Sequence, residues 1–139
     1  MLDLKALLAK ILNHINRVGT RRLVEGSSST ADVPVSAGGW VTIGTISLSA
    51  GTWIVNCRAR YTPNASGNNY SAVCLGGSSG EGWYDRRYSA STYQIQHSFV
   101  HIVQPTTTTT FYLRGTANNA GKFNRTNGAM YAIDAVRIV

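Results

Sequence analysis

The stretch Trp53-Ile54-Val55-Asn56-Cys57-Arg58-Ala59-Arg60-Tyr61 decides the fold. Trp53, Val55, Cys57, Ala59 and Tyr61 alternate with Ile54, Asn56, Arg58 and Arg60. Successive side chains of a β-strand point to opposite faces, so the run predicts a strand with one buried and one largely polar face. Ser49, Ala50 and Gly51 turn the chain from a preceding strand-like run at 41–48. Similar runs follow at 70–75, 93–103, 109–114 and 129–139, with Gly/Ser/Asn clusters between them. Short strands with turn signals and no intervening helix predict an all-β chain, a jelly-roll β-sandwich over residues 40–139.

The last run is apolar on both sides. Tyr131, Ile133 and Ala135 fall on one face; Met130, Ala132, Val136 and Ile138 fall on the other. A sandwich buries only the inner face of each sheet. The second apolar face therefore calls for another covering layer, most simply a second subunit, with Tyr131 and Ile133 expected at the contact.

Residues 1–18 have a different period. Met1, Leu4, Leu8, Ile11, Ile15 and Val18 are spaced alternately three and four apart, which is a heptad seam. Leu8 and Ile15 take the a positions, and Leu4, Ile11 and Val18 the d positions. Leu or Ile at a with Ile at d favours three or four strands over two. A short N-terminal α-helix is expected, forming a trimeric coiled coil through Leu4, Leu8, Ile11, Ile15 and Val18. Packing of the helix on its own domain is the competing arrangement, because Leu7 and Leu12 widen the apolar face. Gly19 is a stop signal. Residues 19–39, with Arg21, Arg22, Gly26, three serines, Pro34, Gly38 and Gly39, are expected to be a linker.

Only 14% of the residues are charged, and 13 Lys and Arg against 6 Asp and Glu leave a formal charge of +7. That balance favours anionic partners. Charged residues interrupt the apolar N-terminal stretch, so it does not read as a signal peptide, and no run is long enough to insert in a membrane. Synthesis without a signal peptide, in a cytoplasm, is expected. Cys57 and Cys74 lie in strand-like runs and are expected as two small buried residues, a cross-strand disulfide being the other possibility.

Three segments carry a resemblance: LSAGTWIVNCRARY (48–61), IVQPTTTTTFYLRGTANN (102–119) and YAIDAVRIV (131–139). Together they resemble the C-terminal tip domains of phage and prophage tail fibres, which are similar in turn to the trimeric C1q/TNF-like jelly roll. The resemblance covers about residues 40–139. It implies a homotrimer in a virion, a helical stalk leading to a receptor-binding head, and other virion proteins as possible neighbours. The short helix at 1–18, without a long shaft, departs from a typical fibre.

No catalytic constellation, cofactor motif or metal-ligand set is evident, and an enzyme is not expected. His97 and His101 share a strand face with Ile95, Phe99 and Val103. They are expected to pack at a sheet face or subunit contact, a threefold cluster holding a metal or anion being the sharper alternative. Glu81 and Asp85 are expected in a surface ion pair with the neighbouring Arg86 and Arg87. Aromatics and cations concentrate at Trp83, Tyr84, Arg86, Arg87 and Tyr88, and amides and cations at Asn118, Asn119, Lys122, Asn124 and Arg125. Read as two loops on a rigid sandwich, these segments are the candidate ligand-binding surface for a host-surface glycan or anionic wall polymer. A purely structural assembly protein is the alternative. A single-stranded nucleic-acid binder ranks behind both, because the positive charges do not form one stripe.

Overall fold

A computed structural model describes residues 3–19, 23–28, 31–77, 82–91, 93–124 and 132–138; within these, only the backbone is described for 14–19, 23–25, 27–28 and 82–84. One helix, α1 (Leu4–Gly19), precedes the strands β1 (Leu23–Glu25), β2 (Ser27–Ser28), β3 (Val33–Val35), β4 (Trp40–Leu48), β5 (Trp53–Pro63) and β6 (Asn69–Gly76). The strands β7 (Gly82–Ser89), β8 (Ile95–Val103), β9 (Thr109–Ala117), β10 (Gly121–Phe123) and β11 (Ile133–Arg137) complete the chain. The fold is an all-β, jelly-roll-like sandwich preceded by a short helix.

Sheet A is built on β5. One edge of β5 pairs with β8 from Trp53 to Tyr61; the other is shared by β11 and β10. β1 extends this sheet beyond β11, and β3 beyond β10. Sheet B runs β2-β4-β9-β6-β7. All the strand pairs are antiparallel.

The two-residue period of β5 holds along its whole length: Trp53, Val55, Cys57, Ala59 and Tyr61 are buried between the sheets. From sheet B they meet Ile43, Ile46, Leu48, Val73, Leu75 and Leu113. Each such apolar side chain contributes about 1.5–3 kcal/mol when fully buried. Trp53 also donates its indole N–H to the carbonyl of Ser49 at 2.9 Å, so the turn before β5 is tied to the strand's first residue.

Two expectations are corrected here. The segment 19–39 is not simply a linker: β1, β2 and β3 pair into both sheets, with the chain crossing from sheet A to sheet B at Gly26. A Cβ on Gly26 would press on the Thr45 and Ile133 carbonyls at 2.6 and 2.8 Å, so glycine composition here serves a close backbone crossing. Ile133 is fully buried, with Ala135, in the core of the chain itself and is not exposed for contact with another copy. The outer side of the last strand is different. Val136, Ile54 and Ile102 stand in one register row across β11, β5 and β8, and Ile102 and Val100 are 56% and 58% exposed. The second apolar face thus exists, displaced from Ile133 onto the outside of sheet A.

The helix starts at Asp3, whose carboxylate accepts the backbone N–H groups of Lys5 and Ala6, an N-cap. Leu4, Leu8 and Ile11 of the seam are 71%, 57% and 47% exposed. The side chains of Ile15 and Val18, and Tyr131 as a whole, lie outside the described residues. Among the described residues, no helix is long and apolar enough to cross a membrane.

Gly115 lies on the inner face of β9, opposite Val41 and Val73. An added Cβ would overlap the buried Phe123 ring and stand 2.9 Å from Ile43 Cδ1. Gly115→Ala is therefore expected to destabilise the fold by about 1–3 kcal/mol through overpacking. Urea unfolding checks this; an unchanged midpoint would refute it.

Candidate functional site

The outer face of sheet B carries the concentration of aromatic and cationic side chains. Its geometry starts with a β-bulge. The β4–β9 register shifts between Thr42 and Gly44, so two-residue alternation is interrupted at Ile43. Ile46 and Leu48 point inward on one side of the bulge; on the other side Ile43 and Val41 do so, and Trp40 and Thr42 turn outward. Without the extra residue, Trp40 would continue the inner face.

Outward from Trp40, a register row crosses the sheet through Thr116, Ala72 and Arg86; the next runs through Thr42, Arg114 and Cys74 to Tyr84. Arg114 lies over the Trp40 ring, 5.9 Å from its centre, and Arg86 over the Tyr70 ring at 5.2 Å. Tyr70 and Tyr88 are directly opposite and their rings lie 5.8 Å apart, tilted by 53°. Ala72 and Cys74 form the fully buried floor between the two arginine strands. Tyr88 is 72% exposed and borders a pocket of about 370 Å³ lined also by Asn68, Asn69, Ser89 and Ala90.

The segment expected as an aromatic-cationic loop is thus an edge strand, β7, and its alternation divides the expected residues. Arg86 and Tyr88 are on the outer face. Arg87 is on the other side, where its Nε donates to Asp85 Oδ2 at 2.9 Å. The side chains of Trp83 and Tyr84 lie outside the described residues, as do Glu81 and Arg125. The second expected loop serves structure instead. Asn118 accepts the Tyr70 backbone N–H at 2.8 Å and donates to the Asn68 carbonyl at 2.7 Å. Asn119 donates to Asn69 Oδ1 at 2.8 Å. Lys122 pairs with Asp32 at 2.8 Å. The Asn118 and Asn119 contacts tie this segment to the start of β6, at one end of the face. Trp40, Tyr70 and Arg114 were missed as site residues because each looks, in sequence, like an ordinary member of an alternating strand.

A buried polar chain lies behind β7. Ser71 Oγ and His97 Nε2 are 2.7 Å apart, and His97 Nδ1 and Asp85 Oδ2 are also 2.7 Å apart. Ionised Asp85 only accepts, so Nδ1 carries the proton and Nε2 accepts from the Ser71 hydroxyl. Burial pushes the His97 imidazole below its ordinary value, against the opposing pull of Asp85. Burial would raise the Asp85 carboxyl, but hydrogen bonds from Arg87 and His97 outweigh it and hold it low. The order Ser–His–Asp is that of a nucleophilic triad. Here Ser71 is fully buried in the interior of β6 and His97 is 1% exposed, so a substrate has no access to the hydroxyl in this structure. The chain links β6 and β7 of sheet B to β8 of sheet A and anchors the strand that carries Arg86 and Tyr88.

His97 is thus buried inside the chain, and Asp85, besides its ion pair with Arg87, is bonded to that buried imidazole. Among the described residues, no three or more His, Cys, Asp or Glu side chains converge as a metal site. Cys57 and Cys74 are buried thiols not joined in a disulfide; burial raises both, with Arg114 opposing at Cys74. Cys57 lies in the core, whereas Cys74 lies beneath the outer face of sheet B. The sequence matches no protein-family model and no curated protein.

Removing one member of the polar chain leaves the others unsatisfied. Ser71→Ala is expected to cost about 1–3 kcal/mol, because His97 Nε2 loses its donor. Both shifted groups bind protons more readily in the unfolded chain, so acid favours unfolding. Stability should hold above pH 6.5, the ordinary imidazole value, and decline as pH falls below it. A second decline should follow below 3.8 as unfolded Asp85 takes up its proton. Urea midpoints from pH 8 to 3 check this; His97→Gln should remove the first decline, and its persistence in that variant would assign it elsewhere.

Proposed function

We propose that this chain is a homotrimeric surface-recognition protein of the phage or prophage fibre-tip type, binding a host-surface glycan or anionic wall polymer. The observation that carries the binding half is the outer face of sheet B, where Arg86, Arg114, Trp40, Tyr70 and Tyr88 are gathered on a rigid sheet. Exposed Tyr88 offers an aromatic face beside a pocket, and the guanidinium groups supply charged donors. Rigid strands position such groups with little loss of conformational freedom on binding.

Self-association is supported by two apolar surfaces left open in the protomer. One is the α1 face with Leu4, Leu8 and Ile11; the other is the Val100, Ile102, Ile54 and Val136 patch on sheet A. Apolar surfaces of this kind mark contact sites. The sheet A patch lies on the other sheet from the aromatic face, so assembly through it leaves that face open. The alternative of a purely structural component shares the same trimer and lacks the recognition role.

Light scattering over a dilution series should give a trimer mass for the full chain, and Leu8→Lys with Ile11→Lys should lower it. A monomer at all concentrations would refute the assembly. In pull-downs with isolated bacterial envelope polymers, Tyr88→Ala should weaken binding by about tenfold, in the range typical of an aromatic contact hot spot. Equal retention by wild type and variant would favour the purely structural role.

A further inference from the structure

Leu4, Leu7, Leu8, Ile11 and Leu12 of helix α1 stand outside the core, each at least 41% exposed. Each residue turns an α-helix by about 100°, which places these positions around its axis. The seam residues Leu4, Leu8 and Ile11 cover an arc of about 60°. Leu7 and Leu12 stand about 40° further out on opposite flanks, so the apolar arc reaches about 140°. A coiled coil closes over the narrow stripe of its a and d positions, and this arc is much wider.

The charges around the arc have one sign. Lys5 and Lys10 fall beyond its two borders, about 20° past Leu12 and about 60° past Leu7. Between Leu4 and Asn13 the far side of the helix is Ala6, Ala9 and Asn13, all uncharged. The sequence from Leu4 to Arg22 carries five Lys and Arg and no Asp or Glu. With 16 residues, α1 is about 24 Å long, too short to cross a hydrocarbon layer of about 30 Å. Lying flat at a bilayer surface, such a helix buries its apolar arc among the upper acyl chains. Lysines at the borders of the arc then lay their stems along the apolar side and hold their ammonium groups at the lipid phosphates.

We infer that α1 is a membrane-surface helix that docks on bilayers containing anionic phospholipid. The inference goes beyond the function proposed above and stands on different residues, since Leu7, Leu12, Lys5 and Lys10 lie outside the heptad seam. Leu4, Leu8 and Ile11 belong to both arcs, so each copy of α1 is either bundled or on lipid.

Flotation of the full chain with vesicles is the test. Binding to equimolar phosphatidylglycerol–phosphatidylcholine vesicles should exceed binding to phosphatidylcholine alone by at least about tenfold, and should weaken as salt rises. Leu7→Gln with Leu12→Gln, which keeps good helix formers, should reduce binding by at least about tenfold through loss of two inserted side chains. Lys5→Gln with Lys10→Gln should weaken binding to the anionic vesicles and leave binding to phosphatidylcholine unchanged. Circular dichroism and light scattering without lipid establish that both variants keep the fold and mass of the wild type. Absence of vesicle binding by a wild-type trimer would overturn this inference and leave the assembly proposed above. Anionic-vesicle binding that survives the Leu7 and Leu12 substitutions is adsorption by charge alone and would also overturn it. Equal binding to the two vesicle types would overturn the assignment to anionic lipid. A monomer that binds the anionic vesicles and needs Leu7 and Leu12 to do so would uphold the inference and overturn the trimer.

Discussion

Strand β5 is bonded on both edges along most of its length, by β8 on one side and by β11 and β10 on the other. That constraint organises the sandwich. A strand paired on both edges cannot slip by one residue without moving Trp53, Val55, Cys57, Ala59 and Tyr61 out of the core together. Tyr61 shows how far the constraint reaches. Its ring packs 5.5 Å from Phe123 on β10, and its hydroxyl donates to the Asn119 carbonyl at 2.7 Å. The end of β5 therefore sets the position of the β9–β10 turn, and the Asn118 and Asn119 contacts carry that order to β6 and the edge of the aromatic face.

The edge strand β7 presents a separate physical problem. It has one paired neighbour in its sheet, β6, and carries two of the exposed residues of the candidate site. The Ser71–His97–Asp85–Arg87 chain secures it from behind. Each buried polar atom in that chain has a partner, so the cost of burying it is offset, and its bonds are directional in a way that apolar packing is not. Arg86 and Tyr88 alternate with Asp85 and Arg87, which means that the same extended backbone presents recognition groups outward and anchoring groups inward. The fold thereby gives a sheet edge the rigidity that a binding surface requires.

The two outer faces have different chemistry. On sheet A, Ile54, Val100, Ile102 and Val136 make an apolar patch; on sheet B, guanidinium groups lie over aromatic rings. Burial against another copy suits the first, because apolar area removed from water is stabilising. Contact with a hydrated anionic polymer suits the second, since its side chains are cationic and aromatic. The proposed function assigns assembly to one face and recognition to the other.

The amino-acid sequence by itself determined the strand class, the alternation of β5, the short N-terminal helix and the presence of an excess apolar face near the C-terminus. These are periodic properties of local segments, and period alone separates strand from helix and buried from open positions. It also singled out Arg86 and Tyr88 as candidates, because aromatic and cationic residues are dense around them, and both lie on the outer face of sheet B. Tertiary structure decided how the strands pair and in which sheet each lies. It took Arg87, Asn118, Asn119 and Lys122 into structural contacts, put Ile133 inside the protomer, and drew segments of 19–39 into the sheets. The bulge at Ile43 turned Trp40 outward to meet Arg114, and three successive strands divided between the two sheets brought Ser71, Asp85 and His97 within hydrogen-bonding distance. Those outcomes depend on register between strands, which is fixed by partners far along the chain and leaves no local period to read.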